Sequence, residues 1–318
     1  MTPDLTVQVG SLTLRNPVMP ASGCFGYGEE YEHIFDLRRL GAIVVKGTTA
    51  KACRGNQPVR LAETPAGLLN AIGLQNPGAE EARGKIIALA RYGVPVIVNV
   101  AGHSVSDYCA VVEALEEERA VAAFEINISC PNVAKGGMAF GTEPGTVAAL
   151  IGELRRLTAK TLIVKLSPNV TDIVTIASAA ACAGADAVSL INTLLGMAVD
   201  ASTRRPVLGN LTGGLSGPAI KPVALRMVWQ VAAATDLPII GVGGICCAAD
   251  AVEFLLAGAS AVAIGTANFT NPLVCPEVID GMAAYLAEHD FASVRELVGL
   301  AQRLAKEDAG GAGVCARK

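Results

Sequence analysis

Aromatic side chains are scarce, 4% of 318 residues, so a packed interior has to be built from Ala, Val, Ile and Leu. That is the usual filling of parallel strands covered by helices, and it disfavours an all-β sandwich. Lysine- and arginine-rich blocks are absent and the formal net charge is −4, which removes the electrostatic footprint of a nucleic-acid binder. Anionic small molecules stay possible, because single lysines can serve them. No run approaches the roughly 18 apolar residues of a membrane span, and Met1 to Leu5 carry no basic segment leading into an apolar one. A soluble cytoplasmic protein without a membrane contact is expected.

Metal-binding patterns are missing too. His33, His103 and His289 stand far apart, with no H-x-x-x-H. Nine cysteines (Cys24, Cys53, Cys109, Cys130, Cys182, Cys246, Cys247, Cys275 and Cys315) are odd in number, scattered and never spaced C-x-x-C. This fits a reducing compartment better than a disulfide framework, and argues against a zinc or iron–sulfur site in this chain.

What the sequence does hold is repetition. Eight short apolar runs recur at 18–23, 42–48, 95–102, 124–130, 162–168, 187–193, 238–245 and 261–267. Helical periodicity lies between them at 79–92, 106–119, 144–159, 172–183, 218–234 and 248–257. Strand followed by helix, eight times over, predicts an α/β fold of the (β/α)8 TIM-barrel kind, one domain over 1–318. A doubly wound open sheet is the competitor; against it, no G-x-G-x-x-G follows the first run and no composition shift divides the chain. Residues 48–77 are too long for a simple βα turn and form an insertion on the catalytic face, suited to enclosing a ligand.

The polar residues collect at the ends of those runs. Successive runs finish in Ser22, Lys46, Asn99, Asn127 with Cys130, Lys165, Asn192 with Thr193, Gly243 with Gly244, and Gly265 with Thr266. In a parallel barrel this is the catalytic rim. Cys130 follows the alternation Phe124, Ile126, Ile128, and either bears chemistry or is a small buried hydrophobe. Lys46 and Lys165 sit in apolar surroundings, where each needs a structural ion pair or an anionic or electron-rich ligand. The glycines, with Gly217 before the helix at 218–234, suit phosphate binding by backbone N–H groups, or simply turns. Asn70, Asn99, Asn127, Asn132 and Asn192 offer amides able to read a heterocycle bearing C=O and N–H groups, while Asn76 before Pro77 reads as a turn residue.

The segments 127–132 (NISCPN), 70–76 (NAIGLQN), 191–193 (INT), 215–218 (LSGP), 241–245 (GVGGI) and 264–266 (IGT) closely resemble the dihydroorotate dehydrogenases, in the same order from Ala21 to Thr266. The resemblance implies the soluble, cysteine-base class. Residues 21–28 and 133–141 look most like the NAD-linked subclass, in which this chain carries FMN while a partner subunit carries FAD and an iron–sulfur cluster. It implies a homodimer built into a heterotetramer with that electron-transfer subunit, and dihydroorotate oxidation to orotate in pyrimidine biosynthesis. FMN is expected at Ser22, Lys46, Gly47, Asn99, Asn127, Lys165 and Ile191, with its phosphate near Gly217, Gly243, Gly244, Gly265 and Thr266. Dihydroorotate is expected at Lys46, Asn70, Ala71, Ile72, Gly73, Leu74, Asn127, Asn132, Asn192 and Thr193. Cys130 becomes the base that takes the C5 proton. Other readings of the same residues are a fumarate-linked enzyme, another flavin-dependent barrel reductase, a Schiff-base lyase using Lys46 or Lys165 as nucleophile, and a catalytically silent binding subunit.

Overall fold

The computed structural model describes residues 3–129, 131–132 and 138–312. All eight expected runs are strands of one parallel sheet: β1 (Val18–Pro20), β2 (Ile43–Val44), β3 (Val96–Val100), β4 (Val121–Asn127), β5 (Thr161–Lys165), β6 (Ala187–Leu190), β7 (Ile239–Val242) and β8 (Ala261–Ile264). Their order around the sheet is β1-β8-β7-β6-β5-β4-β3-β2. The remaining gap is bridged by Gly41 N–H donating to the Val18 carbonyl at 2.9 Å and Asn16 Nδ2 to the Arg39 carbonyl at 2.8 Å. A Cβ at Gly41 would fall 2.1 Å from the Asn16 carbonyl oxygen, so glycine is what lets the barrel close there. Strands β3, β5, β6, β7 and β8 are buried at every residue, as expected when helices cover one face and the barrel interior the other.

The covering helices are α1 (Ala79–Leu89), α2 (Val105–Leu115), α3 (Pro144–Leu157), α4 (Ile173–Cys182), α5 (Lys221–Ala234), α6 (Ala248–Ala257), α7 (Ala267–Thr270), α8 (Val274–Glu288) and α9 (Leu300–Ala312). The first six coincide with the expected helices. Capping is local and legible: Ser104 and Asp107 form a reciprocal box on α2, and Asp172 caps α4. Among the described residues no helix is long and apolar enough to cross a membrane, and no cluster of three potential metal ligands occurs.

Most elements are shorter than the expected runs, and two differences bear on the site. Strand β4 begins and ends three residues early, at 121–127 rather than 124–130, because its extent is set by pairing: Val96 faces Val121 and Lys165 faces Asn127. It stops there because the Tyr108 hydroxyl donates to the Asn127 carbonyl at 2.6 Å, and Asn127 Oδ1 turns back to accept from Ser129 N–H at 3.2 Å. The second difference is a four-stranded antiparallel sheet above the barrel, in the order Leu194–Met197, Thr212–Ser216, Gly67–Asn70, Leu61–Thr64. Half of it is the insertion at 48–77. The other half, at 194–197 and 212–216, falls outside the eight expected strands. Its glycines hide the signal: a Cβ at Gly213 would lie 2.7 Å from the Asn70 carbonyl oxygen, and one at Gly214 2.1 Å from Thr193 Oγ1.

Candidate active site

The carboxyl ends of the strands and the antiparallel sheet enclose a cavity of about 750 Å³. Apart from Asn132, every predicted site residue among those described lines it. From the strand ends come Ser22, Lys46, Gly47, Asn99, Asn127, Lys165, Ile191, Asn192 and Thr193. The insertion contributes Asn70, Ala71, Ile72, Gly73 and Leu74, and the last two strands with their neighbours contribute Gly217, Gly243, Gly244, Gly265 and Thr266. Cys130 lies outside the described residues. For Asn132 the backbone alone is placed, in a short pairing of Pro131–Asn132 with Met138–Ala139.

The floor is built by alternation. On β4 the residues between Phe124 and Ile126 and after Ile126 are Glu125 and Asn127, which therefore share the inward face. Glu125 is 3% exposed and accepts from Asn99 Nδ2 at 2.6 Å through Oε2 and from Ser189 Oγ at 2.7 Å through Oε1. The Lys165 ammonium stands 3.7 Å from Oε2. Lys165 is thus both a member of an ion pair and a lining group of the cavity. Neither Glu125 nor Ser189 was singled out from sequence; the period-two spacing of Glu125 from Asn127 was the available signal.

One turn higher, Asn192 Nδ2 donates to Asn127 Oδ1 at 3.1 Å and to Ser129 Oγ at 2.9 Å, while Thr193 N–H donates to Asn192 Oδ1 at 2.8 Å. Asn127 Oδ1 is therefore occupied and Nδ2 is left as its donor toward the cavity. Lys46 differs from Lys165: among the described residues it meets no carboxylate, and burial holds its ammonium below the usual lysine range, opposed by Cys24 and reinforced by Lys165. The Cys24 thiol is pushed up by burial and drawn back by Lys165 and Lys46, and it faces the same cavity.

The wall is held mostly by backbone. Asn70 Nδ2 donates to the Gly214 carbonyl at 3.2 Å, Ala71 N–H to the Arg60 carbonyl at 2.8 Å, and Asn56 clamps the Ala71 and Ile72 carbonyls. Asn76 behaves as the expected turn residue, its Oδ1 accepting from Gly78 N–H at 2.9 Å.

The glycine end is a close-packed cradle. Gly217, Gly243 and Gly244 have φ of 95°, 133° and 75°, and a Cβ on Gly244 would lie 2.9 Å from the Gly217 carbonyl oxygen. Thr266 Oγ1 donates to Ser216 Oγ at 2.7 Å across the same end. Lys221 stands nearby but is turned away, bound to Asp250 at 2.6 Å and Glu253 at 2.9 Å. Room for a ligand there is bounded by main chain, as phosphate recognition by N–H groups requires.

Fold and site together define a (β/α)8-barrel enzyme with two cations and several amides beneath a shaped lid, equipped for an anionic, heterocyclic ligand. The chain belongs to the dihydroorotate dehydrogenase family, whose model matches residues 4–286. It is 55% identical over 300 residues to the dihydroorotate dehydrogenase B (NAD(+)) catalytic subunit of Trichlorobacter lovleyi, covering 94% of this chain and 99% of that one. The protein of the same name from Pelobacter propionicus is 56% identical with the same coverage, and that from Bacteroides fragilis is 54% identical over 93% of this chain and 98% of its own.

Proposed function

We propose that this chain is the FMN-bearing catalytic subunit of an NAD-linked dihydroorotate dehydrogenase, oxidising (S)-dihydroorotate to orotate in pyrimidine biosynthesis. The observation that carries the proposal is the convergence of Lys46, Lys165, the amides of Asn70, Asn99, Asn127 and Asn192, and the glycine cradle on one cavity. Those residues fit FMN: the cradle of Gly217, Gly243 and Gly244 has no space for a Cβ but borders room for a phosphate, and Lys165, Asn99 and Lys46 face where a polar ring edge would lie. FMN, when bound, accepts the hydride from C6 of the substrate.

The chain's own residues supply the rest. Cys130, three residues after β4 in the sequence, takes the C5 proton as base, a role carried by family resemblance. Lys46, which meets no carboxylate among the described residues, meets the substrate carboxylate or the flavin, and the carboxylate or the reduced ring's negative charge relieves its desolvation. Asn127 Nδ2 and the wall segment 70–74, with Asn192, Thr193 and Asn132, orient the substrate ring. One FMN-binding domain spans the chain, with the insertion at 48–77 as its wall. The relatives' designation as catalytic subunits of an NAD(+) enzyme supports a partner subunit that receives the electrons and passes them to NAD; FAD and an iron–sulfur cluster on that partner, and a homodimer at the centre of the assembly, are carried by family resemblance. No spanning helix occurs among the described residues, in keeping with a cytoplasmic enzyme.

The test is steady-state oxidation of dihydroorotate with NAD or fumarate as acceptor, each with and without the electron-transfer subunit. Activity with NAD only when the partner is present is the expected result. Turnover with fumarate by this chain alone would assign it to the fumarate-linked subclass. Replacing Cys130 by Ala is expected to leave flavin bound while slowing its reduction at neutral pH by about 100-fold or more; an unchanged rate removes the cysteine from the base role.

A further inference from the structure

Glu125 is a carboxylate at the bottom of the cavity, and the mechanism above gives it nothing to do. It is 3% exposed, and a lone buried carboxylate would be costly. Here every approach to it is a donor: Asn99 Nδ2 from β3, Ser189 Oγ from β6, and the Lys165 ammonium from β5. An ionised carboxylate can only accept, so it dictates how each neighbour is turned. Asn99 must present its amide nitrogen downward, which leaves Oδ1 directed up beside Gly47, where a Cβ would lie 3.0 Å from it. Ser189 spends its proton on Oε1. At 3.7 Å, Lys165 is held by charge rather than by a short hydrogen bond, and its donors remain available to the cavity.

We infer that Glu125 is a positioning residue for the reaction: it fixes an acceptor (Asn99 Oδ1) and a cation (Lys165 Nζ) side by side against the cofactor, and offsets that cation's charge. A heterocycle edge with an N–H beside a C=O matches this pair. The inference rests on the proposed FMN site. It differs from a merely structural ion pair in one respect, because the net charge beneath the ring sets how readily the ring accepts electrons. The other titratable groups facing Lys165 are Lys46 after β2 and Cys24 in the loop after β1; Glu125 on β4 is the one carboxylate paired with Lys165 among the described residues.

The experiment is the two-electron reduction potential of FMN in the loaded protein, wild type against Glu125→Gln, by dye equilibration at mildly acidic pH where an ammonium keeps its proton. Removing the carboxylate leaves an uncompensated cation, so the potential is expected to rise by an amount equal to a tenfold or greater change in the reduction equilibrium, about 30 mV for two electrons. In turnover, kcat should change at least tenfold while the KM for dihydroorotate stays within about threefold. Ser189→Ala, which keeps the carboxylate but withdraws one of the two donors that fix it, should shift the potential by less; it also serves if Glu125→Gln does not fold. Wild-type potentials in both variants overturn the inference while leaving the proposed function intact. A wild-type protein that takes up no FMN overturns both.

Discussion

The floor and the wall of the cavity are made in different ways. The floor is charged and dry: Asn99, Glu125, Lys165 and Ser189 are all at most 6% exposed, and each is tied to a residue of another strand. The wall presents neutral residues to the cavity and is half wet. Its antiparallel sheet is joined largely by backbone bonds, and it turns Leu195 and Met197 to solvent at 66% and 51% exposure. Labour is divided: strand ends of a rigid barrel set the charge felt by a ligand, and an inserted sheet sets the ligand's outline.

The strongest way to break that division is at Lys165. Lys165→Met should slow flavin reduction by dihydroorotate by about 100-fold, since a preorganised cation in a water-poor site is lost. It should also lower the melting temperature, because Glu125 is left as a buried, unpaired carboxylate. A variant with normal rate and lowered stability would make the floor structural only.

Lys46 sharpens the floor from the other side. Its folded-state pKa lies below the ordinary lysine value, so its charge is a cost to the ligand-free protein at neutral pH. That cost is constant below the folded pKa and is relieved as pH rises from the folded value to the unfolded one, where the unfolded chain binds the extra proton. An anionic ligand relieves it too. Orotate at about 100 times its Kd should stabilise the wild type by roughly 2.7 kcal/mol. Lys46→Met should melt no lower than wild type without ligand and gain far less from orotate; an equal gain in both would detach Lys46 from ligand binding.

At the wall, Asn70→Ala should raise the KM for dihydroorotate about tenfold, the value of one good hydrogen bond, with kcat changed little. Equal falls in kcat and kcat/KM would place Asn70 with the floor instead. The smallest effect belongs to the outer face: Leu195→Ser should alter stability by less than about 0.5 kcal/mol in the isolated protomer. A larger loss, or a changed sedimentation coefficient, would show that another chain covers this face.

Much of this was legible in the residues. Strand ends carry polar groups because a parallel strand's body is buried on both faces, so Lys46, Asn99, Asn127 and Lys165 stood out against apolar runs. Glu125 did not, because it sits inside the run 124–130, where Phe124, Ile126 and Ile128 draw attention to the outward face. The limits of β4 were set by its neighbours on either side, which no single run reveals. The strands at 194–197 and 212–216 were missed for a related reason: glycine is poor strand material, and Gly213 and Gly214 are tolerated only because close main chain and Thr193 leave no space for a side chain.

Under the proposed function, dihydroorotate delivers electrons to a flavin in this cavity. Anaerobic mixing of the FMN-loaded chain with dihydroorotate tests it most directly, followed by the flavin's visible absorbance. Bleaching with stoichiometric formation of orotate, without any partner subunit, is the predicted result. Absorbance that dithionite bleaches but dihydroorotate leaves unchanged would contradict it.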